Sequence, residues 1–274
     1  MHADADIQQA CLSVLETGSP RAKADRARSV AAAWREGRLA LPTAWRPVAA
    51  DHRPARPSRP ELVPPGQVPR RRLTGPAGRI ALMHAIAHIE FNAIDLAFDL
   101  IARFGGHGGF DKAQRQSLID DWVGVGDDEA RHFIMVQDRL AELGAAYGDH
   151  VAHNGLWDAA VSTSHDLAAR LAVAPLVLEA RGLDVTPGMI DRLISAGDQA
   201  SANVLKVIYE EEIAHVAAGA RWFHTLCRID DQDPQTRYQT LVKQHFKGGL
   251  KLPFNFNARK IAGLPEEYYL PLAH

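Results

Sequence analysis

Six side chains of metal-ligating type stand out by their order and spacing: Glu90, then Glu129 with His132, then Glu179, then Glu212 with His215. In chain order they read Glu, Glu-x-x-His, Glu, Glu-x-x-His. Positions three or four apart on a helix share a face, so each Glu-x-x-His pair points two donors the same way. The neighbours at helical spacing are apolar. Val125, Glu129, His132, Val136 and Leu140 form one stripe; Leu205, Ile208, Glu212, His215, Gly219 and Trp222 form another. Met83, Ile86, Glu90, Ala93 or Ile94, and Ala97 line up in the same way, as do Leu171 or Ala172, Pro175, Glu179 and Gly182. A lone carboxylate on an apolar stripe is heavily penalised, and a cation removes the penalty. Two helices giving one Glu each and two giving Glu-x-x-His pairs form the donor set of a two-metal site inside a four-helix bundle.

Glutamate is scarce around these positions. Glu90 and Glu129 are the only two between residues 62 and 141, and Glu179 is the only one between 143 and 209. Chance pairing gives roughly 0.6 Glu-x-x-His pairs in a chain of this composition, so two, each preceded by a solitary Glu, argue for selection of the whole set. Carboxylate and imidazole donors suit iron and manganese. Two Fe ions rank first, a mixed Fe/Mn or a Mn/Mn pair second; zinc favours closed tetrahedral sites. Metal-bound histidines usually donate their other ring N–H to an acceptor. Asp128 and Glu211, each one residue before a ligand Glu, are expected to serve crosswise, Asp128 to His215 and Glu211 to His132, with Arg131 beside them. Tyr209, three residues before Glu212, is a candidate catalytic residue; a plain core tyrosine is the alternative. Pro175 must disturb its helix one turn before Glu179, which would let that carboxylate shift between binding modes. His84 and His88 continue through Asn92, Asp95 and Asp99 on the face away from Glu90, a stripe expected to be solvated or packed under the N-terminal region.

The elements that must position these groups are helices. Residues 5–18 and 20–38 read as two short ones. Residues 42–76 hold nine of the sixteen prolines and the run Arg70-Arg71-Arg72, an extended connector expected to lie across the surface of the bundle. Helix one is expected over 76–104, from Pro76 to a stop at Gly105-Gly106. Helix two follows over 111–143, with Gly124 and Gly126 loosening its first half. Helix three is expected over 156–181, stopped by Gly182, with Thr186-Pro187 restarting a short helix to about residue 196. Helix four is expected over 198–227, followed by an irregular, aromatic segment over 231–274. The domain reading is an N-terminal helical and proline-rich arm over 1–75, a four-helix bundle over 76–230 and a C-terminal extension over 231–274.

The net charge is −2, yet residues 20–75 carry thirteen Lys/Arg against four Asp/Glu. Cys11 and Cys227 are the only cysteines, too few and too distant for a disulfide framework, as in a reducing cytosol. The first residues lack the pattern of a secretory signal, and no apolar run reaches the ~20 residues of a membrane span. A cytoplasmic protein with no membrane association is expected. Neither a Walker motif nor GxSxG occurs, and Gly105-Gly106-His107-Gly108-Gly109 reads as a flexible connector.

The six ligand-type residues make the chain similar to the ferritin-like superfamily. The resemblance is closer to a bacterial ferritin-like family of unknown function. It is carried by His84-Ala-Ile-Ala-His-Ile-Glu90, Asp128-Glu-Ala-Arg-His132, Leu178 through Pro187, Glu211-Glu-Ile-Ala-His215 with Arg221-Trp-Phe223, and Asn257-Ala-Arg-Lys-Ile-Ala-Gly263. These stretches span roughly residues 75–270. Asp128 through His132 also resembles the Asp-Glu-x-Arg-His motif of bacterial diiron monooxygenases, whereas the helix-four stretch lacks the Arg. The resemblance implies an all-α, ferritin-like bundle holding a dinuclear site. The first functional reading is an oxidoreductase driven by O2 or peroxide, with Glu129 and Glu212 expected to bridge the metals. A small-molecule substrate and an external reductant are the expected partners, and an oligomer is allowed for. Phe254, Phe256, Tyr268 and Tyr269 are candidates to lid the site or to anchor the tail. A metal-handling or peroxide-scavenging protein is the second reading. A tRNA-modifying diiron hydroxylase is the third; nucleic-acid contact would come from the basic arm with Lys243, Lys247, Lys251, Arg259 and Lys260, and is not favoured over ordinary surface charge.

Overall fold

The computed structural model describes residues 6–69 and 75–273. The Arg70-Arg71-Arg72 run and residue 5, the expected start of the short helix over 5–18, lie outside the described residues. Among those described the fold is all-α, and strand pairing is limited to isolated bridges. The chain divides into two compact units, residues 1–157 and 158–274.

The first unit is built on two long helices. α1 (Ile7–Leu15) and α2 (Pro20–Arg35) come first, then the proline-rich segment, then α3 (Pro76–Phe104) and α4 (Lys112–Glu142). Proline stands at the start of α2 and of α3, where its missing N–H costs nothing. α4 begins with a capping box: the Asp111 carboxylate accepts from the Gln114 N–H, and Gln114 reaches back to the Asp111 N–H. α1 packs on α3 and α2 on α4. α2 contributes a buried stripe of Ala24, Ala27, Val30, Ala31 and Trp34 at helical spacing.

Gly126 and Gly106, both expected to loosen the structure, instead admit large rings. A Cβ on Gly126 would lie 2.6 Å from Phe98 Cε2, so this glycine brings α4 against α3 and the helix runs on through it. A Cβ on Gly106 would lie 2.1 Å from Trp45 Cγ. The glycine pair after α3 is therefore the seat of a tryptophan from the proline-rich segment, rather than a flexible connector. That segment is further tied down by the Val63 N–H to the Ala152 carbonyl (2.8 Å) and by Arg103, which donates to the Ala49 carbonyl (2.9 Å).

α5 (Gly155–Ser162) straddles the boundary between the units. The second unit continues with α6 (Leu167–Val173), a six-residue π-helical stretch (Ala174–Glu179), α7 (Ala180–Ser195), α8 (Gln199–Ile229), α9 (Pro234–His245), α10 (Phe256–Ile261) and α11 (Glu266–Tyr269). The expected single helix over 156–181 is thus broken, because Asp166 caps α6 through the Ala168 N–H while buried Arg170 turns back onto Thr163 and the Ala160 carbonyl. The expected stop at Gly182 and restart at Thr186-Pro187 do not occur, since α7 runs through both. Pro187 removes the donor for the Leu183 carbonyl, and the Asn255 side-chain amide takes its place at 3.1 Å. The segment after residue 230 is also more regular than expected. α9 starts at Pro234 under an Asp233 cap, a signal present in the sequence.

Candidate metal centre

Glu90 on α3 and Glu129 and His132 on α4 come together inside the first unit. His132 Nδ1 lies 3.4 Å from Glu90 Oε2 and 3.6 Å from Glu129 Oε2. One donor atom from each falls within 4.8 Å of the others. All three side chains are buried, as are Met83, Ile86, Ile94, Val125, Val136 and Leu140 on the same helix stripes. Burial and the neighbouring Glu129 charge hold the Glu90 carboxyl well above the usual carboxylate range. Burial would lower the His132 pKa, but hydrogen bonds and charge from Glu129 and Glu90 outweigh it and raise it to about 11. Two buried carboxylates thus call for positive charge at the place where imidazole and carboxylate donors converge. Carboxylate and imidazole are both metal-ligating donors, so the residues fit a metal.

In the second unit Glu212 and His215 share one face of α8, with Glu212 Oε2 3.6 Å from His215 Nδ1. Glu179 is the last residue of the π-helical stretch that Pro175 begins to widen, and one of its carboxylate oxygens is buried. The disturbance expected at Pro175 therefore takes the form of a π-helix, a distortion frequent at functional sites. Gly219, one turn beyond His215, lets α8 approach this stretch: a Cβ there would lie 2.5 Å from the Pro175 ring.

Around these residues, the Asp128 carboxylate accepts from Arg131 at 3.0 Å, a partly exposed pair along α4. Glu211 is half-buried on α8. The Tyr209 hydroxyl accepts from the Asn255 amide at 2.9 Å. On α3, the stripe away from Glu90 is buried beneath the N-terminal segment. Lys23 and Arg56 both pair with Asp95, Arg56 donates to Asn92 at 2.8 Å, and Arg103 donates to Asp99 at 2.8 Å. His88 contacts the Tyr147 hydroxyl at 2.9 Å, and burial pushes its pKa down to about 4. His84 Nε2 accepts the Gly148 N–H at 2.9 Å.

Arg259 corrects the list of exposed phosphate contacts. It is buried, donates to Asp184 at 2.7 and 2.8 Å, and lies over the Phe254 and Tyr269 rings. Phe254 and Tyr269 thereby anchor the tail, as does Tyr268 through its hydroxyl contact with His224 (3.0 Å); Phe256 is exposed. Sequence reading missed Asp184 and Tyr238. Asp184 stands out only as a charge between Leu183 and Val185, Tyr238 only as an aromatic ring between Arg237 and Gln239, and their partners lie more than sixty residues away.

The fold and the buried donor cluster define an all-α protein with a candidate metal site. The chain belongs to the family described as protein of unknown function (DUF455), whose model matches residues 16–270. An uncharacterised protein of Haemophilus influenzae is 39% identical over 223 residues, covering 80% of this chain and 76% of the relative. No solved structure matches. Among the described residues no helix is long and apolar enough to cross a membrane.

Proposed function

We propose that this is a ferritin-like dinuclear metal–carboxylate protein, probed best as a di-iron oxidase or hydroxylase that uses O2 or peroxide. The observation that carries the reading is the buried Glu90–Glu129–His132 cluster, with its imidazole between two carboxylates. The second unit repeats the pattern in sequence, Glu179 followed by Glu212 and His215. On this reading the two Glu residues and the two Glu-x-x-His pairs are the donor set of a dinuclear centre. Glu90, Glu129, Glu179 and Glu212 would hold the ions, and His132 and His215 would complete the donor set. Asp128 and Glu211 orient the histidines. Two bound iron ions would supply the electrons that reduction of O2 or peroxide requires.

The chain's own contribution is to hold the donors and keep water out. Apolar side chains on the ligand stripes exclude solvent, which strengthens each carboxylate's hold on a cation. The π-helical turn ending at Glu179 would let that carboxylate shift between binding modes. The organic substrate and the reductant come from outside the chain.

Metal content measured by plasma mass spectrometry, on full-length protein purified without added metal, tests the reading. About two iron or manganese per chain are expected, lost in a Glu129→Ala, Glu212→Ala double variant. Less than one per chain, unchanged in that variant and not restored by anaerobic Fe(II), would overturn it. With metal established, oxygen consumption separates an oxidase from a metal-handling protein, and a large shell-like assembly on size exclusion would favour the latter.

A further inference from the structure

The π-helical stretch and Pro187 both disturb the carbonyl ladder of the helix that carries Glu179. A π turn inserts one extra residue, and slipping back to α register would rotate everything beyond it by about 100°. Glu179 sits at the end of the insertion, so its direction depends on that register. Something must therefore fix the register on both sides of it.

The C-terminal segment of the same unit does this with three side chains. The buried Tyr238 hydroxyl on α9 donates to the Leu176 carbonyl at 3.2 Å, inside the π stretch. The buried Arg259 guanidinium on α10 donates to the Ala180 carbonyl at 3.4 Å. The Asn255 amide, which caps α10, donates to the Leu183 carbonyl at 3.1 Å. Carbonyls 176, 180 and 183 are spaced four and three apart and share one helix face, with Glu179 between the first and the second. The donors are themselves fixed. Asp184 accepts two hydrogen bonds from Arg259 and one from the Asn255 backbone N–H at 2.9 Å, while Arg181 donates to the Lys251 and Pro253 carbonyls at 2.6 and 3.0 Å. The tail and the broken helix thus hold each other through polar groups that an ordinary α-helix would not need.

We propose that Tyr238, Arg259 and Asn255 are positioning residues that lock the π register and so aim the Glu179 carboxylate. The proposal rests on the reading of Glu179 as a metal ligand. Tyr238→Phe removes one hydroxyl and keeps the ring, so it separates aiming from packing.

The test is titration of the full chain with Co(II), following visible absorption and calorimetric affinity, with thermal unfolding measured alongside. Wild type is expected to bind two Co(II), and Glu179→Gln to weaken one equivalent and move the absorption bands. Tyr238→Phe and Asn255→Ala are expected to move the bands in the same direction and to weaken that equivalent roughly tenfold, about the worth of one hydrogen bond. A destabilised control remote in sequence, Trp34→Phe, is expected to lower stability and leave the bands alone. If wild type binds two Co(II) and Glu179→Gln alters the spectrum while Tyr238→Phe and Asn255→Ala titrate like wild type, positioning is overturned and the dinuclear reading stands. If Glu179→Gln itself titrates like wild type, the ligand assignment fails and takes this proposal with it. Should Tyr238→Phe not fold, Asn255→Ala decides alone.

Discussion

Lys23 and Asp95 are both fully buried and paired with each other, seventy-two residues apart. Burial pushes the Lys23 pKa down and the Asp95 pKa up, opposed in each case by the partner's charge. Such a pair contributes little over an apolar replacement, but breaking it strands a charge. Asp95→Ala is therefore expected to cost about 3–5 kcal/mol in urea unfolding. The Lys23→Met, Asp95→Leu double variant should recover most of that, because Arg56 retains Asn92 and some access to water. A loss below about 1 kcal/mol for Asp95→Ala would show that the pair is not buried as described. His224 gives the pH dependence at this scale. Burial, then the Arg228 charge, holds its pKa below the ordinary histidine value, and its Nε2 contacts the Tyr268 hydroxyl. A histidine with a lowered folded pKa contributes stability that is full above its unfolded pKa of about 6.5 and is lost as pH falls below it. The thermal midpoint should therefore drop more between pH 7.5 and 5.5 in wild type than in His224→Gln; equal drops would exclude the contribution.

Two glycines on neighbouring elements make opposite predictions for one substitution. Gly182 lies inside α7 with helical backbone, and a Cβ there meets nothing within 4 Å. Gly182→Ala should stabilise by about 0.5–1 kcal/mol, the helical preference of Ala over Gly. Gly219 on α8 has the same preference, but its Cβ would collide with the Pro175 ring. Gly219→Ala should destabilise by about 1–3 kcal/mol as the helices are forced apart. Urea midpoints read both, and destabilisation by Gly182→Ala would mean that α7 does not continue past it. These two residues also show what sequence reading could reach. The ends of α3, α4 and α8 were legible because Pro76, the Asp111–Gln114 box and Asp198 are local signals. The ligand stripes were legible because helical spacing puts Glu129 with His132 and Glu212 with His215. Gly182 and Pro187 read as punctuation because their usual cost is local, whereas the compensation is not: the donor for the Leu183 carbonyl is Asn255. Arg259 read as surface charge for the same reason, its partner Asp184 being seventy-five residues away.

At the scale of the whole chain, the proposed ligands divide evenly. Glu90, Glu129 and His132 belong to the first compact unit, and Glu179, Glu212 and His215 to the second. If all six bind the same pair of ions, metal acts on the stability of both units at once. A ligand that binds only the folded state stabilises it by about 2.7 kcal/mol at one hundred times its Kd. Scanning calorimetry with Mn(II), which needs no anaerobic handling, should then show a raised midpoint and one cooperative transition for the complete chain. Glu90→Ala removes a ligand from the first unit and Glu212→Ala one from the second. Each should abolish most of the metal-dependent rise, although they sit in different units. A site confined to the first unit predicts otherwise: Glu212→Ala would keep the full rise, and only the transition of the first unit would respond to Mn(II). The comparison of those two variants thus decides whether the repeated Glu, Glu-x-x-His pattern describes one shared site or a first-unit site with a second copy that binds nothing.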